Sequence, residues 1–213
     1  MLTVWGRKSS SNVQALMWCI GELGLAYERI DAGFKYGVND TVEFLAMNPN
    51  GTVPVLREDD GEPLWETGAI IRYLAAQHGD EAFWPDDARR RAQIDKWAEW
   101  AKLNITLNFT GPVFWRVVRT APALQDQQAI AAALTALGAK LDIAERQLER
   151  HRFLAGDDLT LADIQFGHVL YRYFDIDIPR PSLPRLERYY ENLTERPAFR
   201  EHVMVSYEEL RVL

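Results

Sequence analysis

Two short stretches, Ser9-Ser10-Ser11-Asn12 and Glu66-Thr67, hold most of the legible chemistry, and each stands where a helical pattern begins. A serine hydroxyl at a helix start can donate a hydrogen bond to an anion, while the free backbone N–H groups and the helix dipole favour negative charge. Ser, Thr and Asn are also the preferred N-caps, so capping alone is the plain reading of such a cluster. Glu66-Thr67 divides the same way, between a cap with an acidic first turn and a seat for an anion. Cys19 is the single cysteine and falls mid-helix. It can form no intramolecular disulfide and run no dithiol exchange, so it reads as a buried structural thiol. One cysteine and four scattered histidines make a metal site improbable. No Gly-rich strand–helix junction offers a cradle for a nucleotide phosphate.

The elements that must position these residues follow from the spacing of apolar side chains. Leu2-Thr3-Val4-Trp5 is a short β-prone run ended by Gly6. Val13, Leu16, Met17, Ile20 and Leu23 recur at helical spacing over 12–23, and Gly24 sits where a helix C′ residue would. Tyr27–Ile30 reads as a second strand, and 40–47 as a short helix before the turn cluster Asn48-Pro49-Asn50-Gly51. The runs 53–56 and 63–65 flank Asp59-Asp60-Gly61 as a hairpin. Glu66 and Thr67 then open a helix with Ile70, Ile71, Leu74 and Ala75 on one face, closed by Gly79. The order β-α-β-α-β-β-α predicts a small mixed four-stranded sheet whose first two strands are parallel through a crossover helix.

The remainder is written in helices. Segments 88–107, 123–150, 161–174, 183–196 and 198–210 carry helical periodicity, with breaks predicted at Gly111-Pro112, Ala121-Pro122, Gly156-Asp157 and 179–184. Thr160-Leu161-Ala162-Asp163 fits a capping box, with Leu159 and Ile164 at the spacing of a hydrophobic staple. The expected division is an α/β domain over 1–79, a linker over 80–87 and an all-α domain over 88–213. The 213 residues carry a net charge of -7, which argues against nucleic acid as the main partner. No apolar run approaches the ~20 residues of a membrane span. The opening residues lack the apolar stretch of a secretory signal, so a cytoplasmic protein is expected.

Four marks in order make the chain resemble a cytosolic glutathione S-transferase of a bacterial, serine-type branch. They are Ser10-Ser11-Asn12 after the first strand, the run Asn48 to Leu56 containing Val53-Pro54, the pair Glu66-Thr67, and Gly156 to Asp163 in the helical half. The resemblance implies a thioredoxin-like N-terminal domain carrying the glutathione site and an all-helical domain supplying most of the second-substrate pocket. It implies Ser10 as the group meeting the glutathione sulfur, with Asn12 beside it; Ser9, Ser11 and Asn12 stand close enough to remain alternatives. It implies a cis bond before Pro54 that leaves the Val53 N–H and C=O to pair with the cysteinyl backbone like an added strand. Glu66 would face the α-ammonium of the γ-glutamyl end, and Thr67 its α-carboxylate. Lys35 and Arg7 are possible partners for the glycine carboxylate, and Thr52 stands where many members have Lys, Arg or Gln.

For the electrophile, the stretch with Asn104, Asn108, Phe109, Phe114, Trp115 and Arg116 is weighed equally as pocket wall and bundle core. Arg116, Arg119 and His168 read as surface or cap residues, and Trp97 and Trp100 as packing or subunit interface. The implied activity is transfer of the glutathione thiolate to a small hydrophobic electrophile, in a homodimer without metal or other cofactor. Glutathione-dependent disulfide or peroxide reduction and a non-catalytic scaffold are the alternatives.

Overall fold

The structure is a computed structural model and describes residues 1–212. Strand β1 (Leu2–Trp5) lies inside the sheet, parallel to β2 (Tyr27–Ile30) and antiparallel to β3 (Val55–Glu58); β4 (Leu64–Trp65) pairs antiparallel with β3, giving the order β2-β1-β3-β4. Helix α1 (Ser11–Glu22) is the crossover between β1 and β2, α2 (Val42–Met47) precedes β3, and α3 (Thr67–His78) follows β4. This is the mixed sheet expected from sequence, in the thioredoxin-like arrangement. Gly6 lets α1 follow β1 so closely: a Cβ there would lie 2.4 Å from a Val13 methyl.

Helix α1 is buried along all of Val13–Ile20 because it packs on the sheet side and on the second half together. Trp18 meets Phe199 edge-on at 4.8 Å, and Arg196 grips Glu22 through two hydrogen bonds of 2.7 and 2.5 Å. One hydrophobic core therefore runs through both halves.

The all-helical half starts with α4 (Ala88–Trp100). Where Gly111-Pro112 predicts a break, the helical rod continues to residue 118. A π-helical stretch (Ala101–Thr106), the turn α5 (Leu107–Phe109), a second π stretch (Thr110–Trp115) and the turn α6 (Arg116–Val118) follow without interruption. The wide i→i+5 turn accommodates a proline that an α-helical turn would resist. Helix α7 (Gln127–Gln147) packs beside this rod. The segment 161–174 is split into α8 (Leu161–Gly167) and α9 (Leu170–Asp175), followed by α10 (Pro184–Thr194) and α11 (Pro197–His202). The predicted helix over 198–210 stops at His202. Beyond it the chain turns back over the first half, burying Tyr207 and Leu210 around a 3-10 turn at Glu208–Leu210. Tyr207 packs edge-on against Phe114 at 5.2 Å, so tertiary burial of the tail wins over the local helical pattern.

Candidate functional site

A cavity of about 370 Å³ opens where the β1–α1 loop, the 88–118 rod and the C-terminal tail meet. Arg7, Ser9, Ser10, Ser11 and Asn12 form one wall, and Thr106, Leu107, Thr110, Gly111, Trp115 and Arg119 the opposite one; Arg172 and Leu210 close it. Ser10 is the N-cap of α1, with extended backbone, and its side chain makes no capping hydrogen bond. Its carbonyl accepts the Gln14 N–H at 2.9 Å, so the backbone is fixed while the hydroxyl has no partner among the described residues. Ser9 differs: its hydroxyl donates to Glu209, which also holds Lys35 at 2.6 Å. Burial pushes the Glu209 carboxyl up, but Lys35, Ser9 and Arg7 outweigh it and hold the carboxyl below its ordinary range.

Arg172 secures the loop from behind, donating to the Ser9 carbonyl at 2.7 Å and to Gln14 Oε1 at 3.3 Å. Burial, then the nearby Arg7, lowers its guanidinium to about 10.

The Val53–Pro54 bond is cis. The Val53 N–H and C=O precede β3 and take no hydrogen bond among the described residues. The Val53 side chain stands 3.4 Å from a Cβ built on Gly6, which sets this open strand edge beside the β1–α1 loop. Thr52 is tied into the preceding turn: buried Asn48 donates to its carbonyl at 2.8 Å and its hydroxyl at 3.3 Å.

Glu66 is the N-cap of α3 at φ 68°, a left-handed conformation that costs about 1–3 kcal/mol for a residue other than glycine. Its exposed carboxylate lies 3.5 Å from Lys102 Nζ. Thr67 is buried at the first helical position, where the first-turn N–H groups have no partner within the helix. Lys102 and Gln165 are the two residues here that sequence reasoning misses. A Cβ on Gly68 would lie 3.3 Å from Gln165 Nε2, a buried donor without a partner, and 3.8 Å from Lys102 Nζ. No local signal joins positions 36 residues apart such as Glu66 and Lys102.

Of the six side chains named for the second pocket, the structure brings only Trp115 to the cavity, and Phe109 is buried in the core. Asn104 and Asn108 donate along the rod to the carbonyls of Trp100, Leu103 and Asn104, Phe114 is fully buried in the core, and Arg116 is exposed. The reason is helix rotation: Leu107, Gly111, Trp115 and Arg119 step by four along the cavity face, and the other predicted residues fall off it. Arg119, read as a surface residue, lines the cavity instead. His168 is the C-cap of α8 and buried, not a surface group: its Nδ1 lies 3.1 Å from the Ile164 carbonyl, and burial lowers its pKa to about 4. Cys19 is fully buried and burial pushes its thiol up, out of reach of thiolate chemistry at neutral pH. Trp97 and Trp100 pack edge-on at 5.2 Å. Among the described residues no group of three His, Cys, Asp or Glu is placed to hold a metal ion, and no helix is long and apolar enough to cross a membrane.

Similarity to known proteins extends over most of the chain. Residues 1–76 match the model of the glutathione S-transferase N-terminal domain, and residues 108–197 that of the C-terminal domain. Glutathione S-transferase GstB of Escherichia coli K12 is 40% identical over 206 residues, 96% of this chain and 99% of that protein. The theta class glutathione S-transferase of Xanthomonas axonopodis pv. citri, solved with glutathione bound, superposes with a TM-score of 0.90 at 42% identity, covering 97% of this chain and 98% of that one. A probable elongation factor 1-gamma 2 of Arabidopsis thaliana is 32% identical over 179 residues, 80% of this chain and 41% of that protein.

Proposed function

The chain belongs to the glutathione S-transferase family, and on that premise we propose that it activates the thiol of glutathione for attack on an electrophile held in the cavity beside Ser10. The observation that carries the proposal is the Ser10 hydroxyl: it sits at the N-terminus of a twelve-residue helix, faces the cavity and has no internal partner. A free thiol has a pKa of about 8.5, so only ~3% is ionised at pH 7. Lowering it to about 6.5 requires about 2.7 kcal/mol of preferential thiolate stabilisation. A donated hydroxyl hydrogen bond together with the orphan N–H groups of α1 is of that order. Positioning against the electrophile supplies the rest of the rate.

The remaining contacts follow the peptide. Val53 offers N–H and C=O to the cysteinyl backbone, and the α3 N-terminus with Thr67 receives the γ-glutamyl carboxylate while Glu66 faces the ammonium. Asn12 and Ser11 flank the sulfur. Ser9 acts through Glu209 instead of touching sulfur, because its hydroxyl is engaged. Lys35 lies at the glycine end and exchanges Glu209 for the glycine carboxylate, with Thr52 holding the turn beside it. The proposal includes a cytoplasmic homodimer with glutathione as co-substrate and no metal.

The test is a pH titration of thiolate absorbance for glutathione added to the purified protein, with Ser10→Ala alongside. Bound glutathione should ionise about two pH units below its free value, and the variant should lose that displacement and about 25-fold of the thiolate at pH 7. Binding without lowered ionisation in the unaltered protein would reduce Ser10 to a cap.

A further inference from the structure

Three arginines share the cavity with Ser10, and none of them has a carboxylate within 4.0 Å among the described residues. Arg172 is committed to the Ser9 carbonyl, Gln14 and the Phe114 ring, 4.7 Å below its guanidinium. Lys35 pairs with Glu209 here and is taken by the glycine carboxylate in the reading above. Arg7 and Arg119 come from opposite walls and pack on one ring: their guanidinium carbons lie 5.5 and 5.7 Å from the centre of Phe34, and Arg119 also covers Trp115 at 5.0 Å. Neither has a carboxylate within 4.0 Å among the described residues. The like charge is felt: burial, and then Arg119, lower the Arg7 guanidinium, and outweigh the raising pull of the more distant Glu209.

Two polar atoms sealed behind the wall have no partner among the described residues. The Thr106 hydroxyl is nine-tenths buried in the cavity wall, and the Nε of buried Arg172 is unpaired among the described residues. A wall meant only for an apolar guest would not gather two guanidinium groups on one ring. The protein as a whole is acidic, at -7, so its long-range field does not explain the cluster. Planar guanidinium forks match a carboxylate with paired hydrogen bonds, and the Phe34 and Trp115 faces between them suit a flat or short apolar body.

We propose that the electrophile is a small molecule bearing a carboxylate, which Arg7 and Arg119 clamp across the cavity while its reactive carbon faces the sulfur at Ser10. The inference rests on the transferase reading above and narrows its substrate class. For a halogenated carboxylate the thiolate forms a C–S bond at the carbon bearing the halogen. The C–halogen bond breaks with its electron pair leaving as halide, and the thiol proton passes to solvent. The carboxylate takes no part in bond making; it orients the carbon and adds charge complementarity in a partly desolvated site.

The experiment compares 4-chloro-3-nitrobenzoate with 4-chloro-3-nitrobenzamide, each kcat/KM divided by its uncatalysed rate constant with glutathione. Alongside, calorimetry compares binding of the two finished thioethers, S-(4-carboxy-2-nitrophenyl)glutathione and its carboxamide counterpart. The carboxylate should be preferred by about tenfold in both readouts, less at high salt. Arg119→Ala and Arg7→Ala should each remove most of the preference, and Arg119→Lys should keep part of it. A preference near one in the unaltered protein would overturn the inference, as would a preference untouched by either variant. Loss of affinity for glutathione itself, equal with both electrophiles, would assign the arginines to its glycine carboxylate and also overturn it. Preferential thioether binding without turnover of either halide would sink the transferase reading and leave the carboxylate site standing.

Discussion

Ser10 at the start of α1 and Thr160 at the start of α8 are both hydroxyl N-caps in extended backbone, and their surroundings differ in every other respect. The Thr160 hydroxyl accepts the Ala162 N–H at 3.3 Å and donates to Asp163 Oδ2 at 3.1 Å, while its own N–H reaches that carboxylate at 2.8 Å. Asp163 also accepts the Leu154 N–H and the Tyr189 hydroxyl, both at 2.9 Å, and is wholly buried. The side-chain groups at that helix start are closed within the chain. At Ser10 the hydroxyl is open to a cavity and α1 has no acidic residue in its first turn. The N-terminal positive charge is thus answered internally in α8 and left for an incoming anion in α1. One residue chemistry serves folding where its partners are present and chemistry where they are withheld.

The harshest test of this contrast removes the carboxylate at the centre of the closed start. Asp163→Ala strands the N–H groups of Leu154 and Thr160 and the Tyr189 hydroxyl in the core. Unsatisfied buried groups cost about 1–3 kcal/mol each and are not additive, so a loss of about 3–5 kcal/mol is expected. Urea midpoints would report it, and a loss below about 1 kcal/mol would show that water replaces the carboxylate. Ser10→Ala should do the reverse. The proposed thiolate stabilisation disappears, yet stability should change by less than about 0.5 kcal/mol, because no capping bond is lost. An N-cap-sized loss with thiolate formation intact would mean that the two helix starts are used alike.

Between these sites lies His168, on the turn joining α8 to α9, and it carries the contrast into pH. Its folded-state pKa, about 4, lies below the ordinary 6.5 because burial disfavours the imidazolium. The neutral ring therefore supports the fold fully above pH 6.5, and that contribution is lost as pH falls toward 4, where the unfolded chain gains the proton first. Integrated at about 1.4 kcal/mol per pH unit, the loss between about pH 7 and pH 5 comes to about 2 kcal/mol. His168→Gln should flatten that part of the stability profile. An unchanged slope would assign the acid sensitivity to carboxylates.

The sequence is legible where local pattern and local chemistry agree. The sheet, α1, α3 and the capping box of α8 each rest on a short apolar period with a cap or glycine at its end, and all stand in the structure near their expected bounds. Legibility fails where rotation or distance decides. The rod over 88–118 carries enough apolar residues to be helical in any phase, so the cavity face, stepping through Leu107, Gly111, Trp115 and Arg119, cannot be separated from the face with Asn104 and Asn108. The two π stretches turn the phase again. The tail carries a helical pattern, and only its docking on Phe114 and Glu209's hold on Ser9 and Lys35 show why it unwinds. Arg7 and Arg119 are ordinary charged residues until the fold sets both against Phe34.

The mildest change is at Thr160 itself. Thr160→Ala removes a hydroxyl that accepts one N–H and donates to Asp163, but leaves the Asp163 carboxylate holding the N–H groups of residue 160 and Leu154. Only the Ala162 N–H loses its acceptor, so the cost should stay in the range of a lost cap, about 1–2 kcal/mol. It should be less than half that of Asp163→Ala. Glutathione ionisation and turnover should be unaffected, because Asp163 still holds the start of α8 and the helix keeps its packing on α1 and α3. A Thr160→Ala protein of full stability would mean that Asp163 alone closes the helix start. One of lowered turnover at full occupancy would mean that the closed and open starts are mechanically coupled through the shared core.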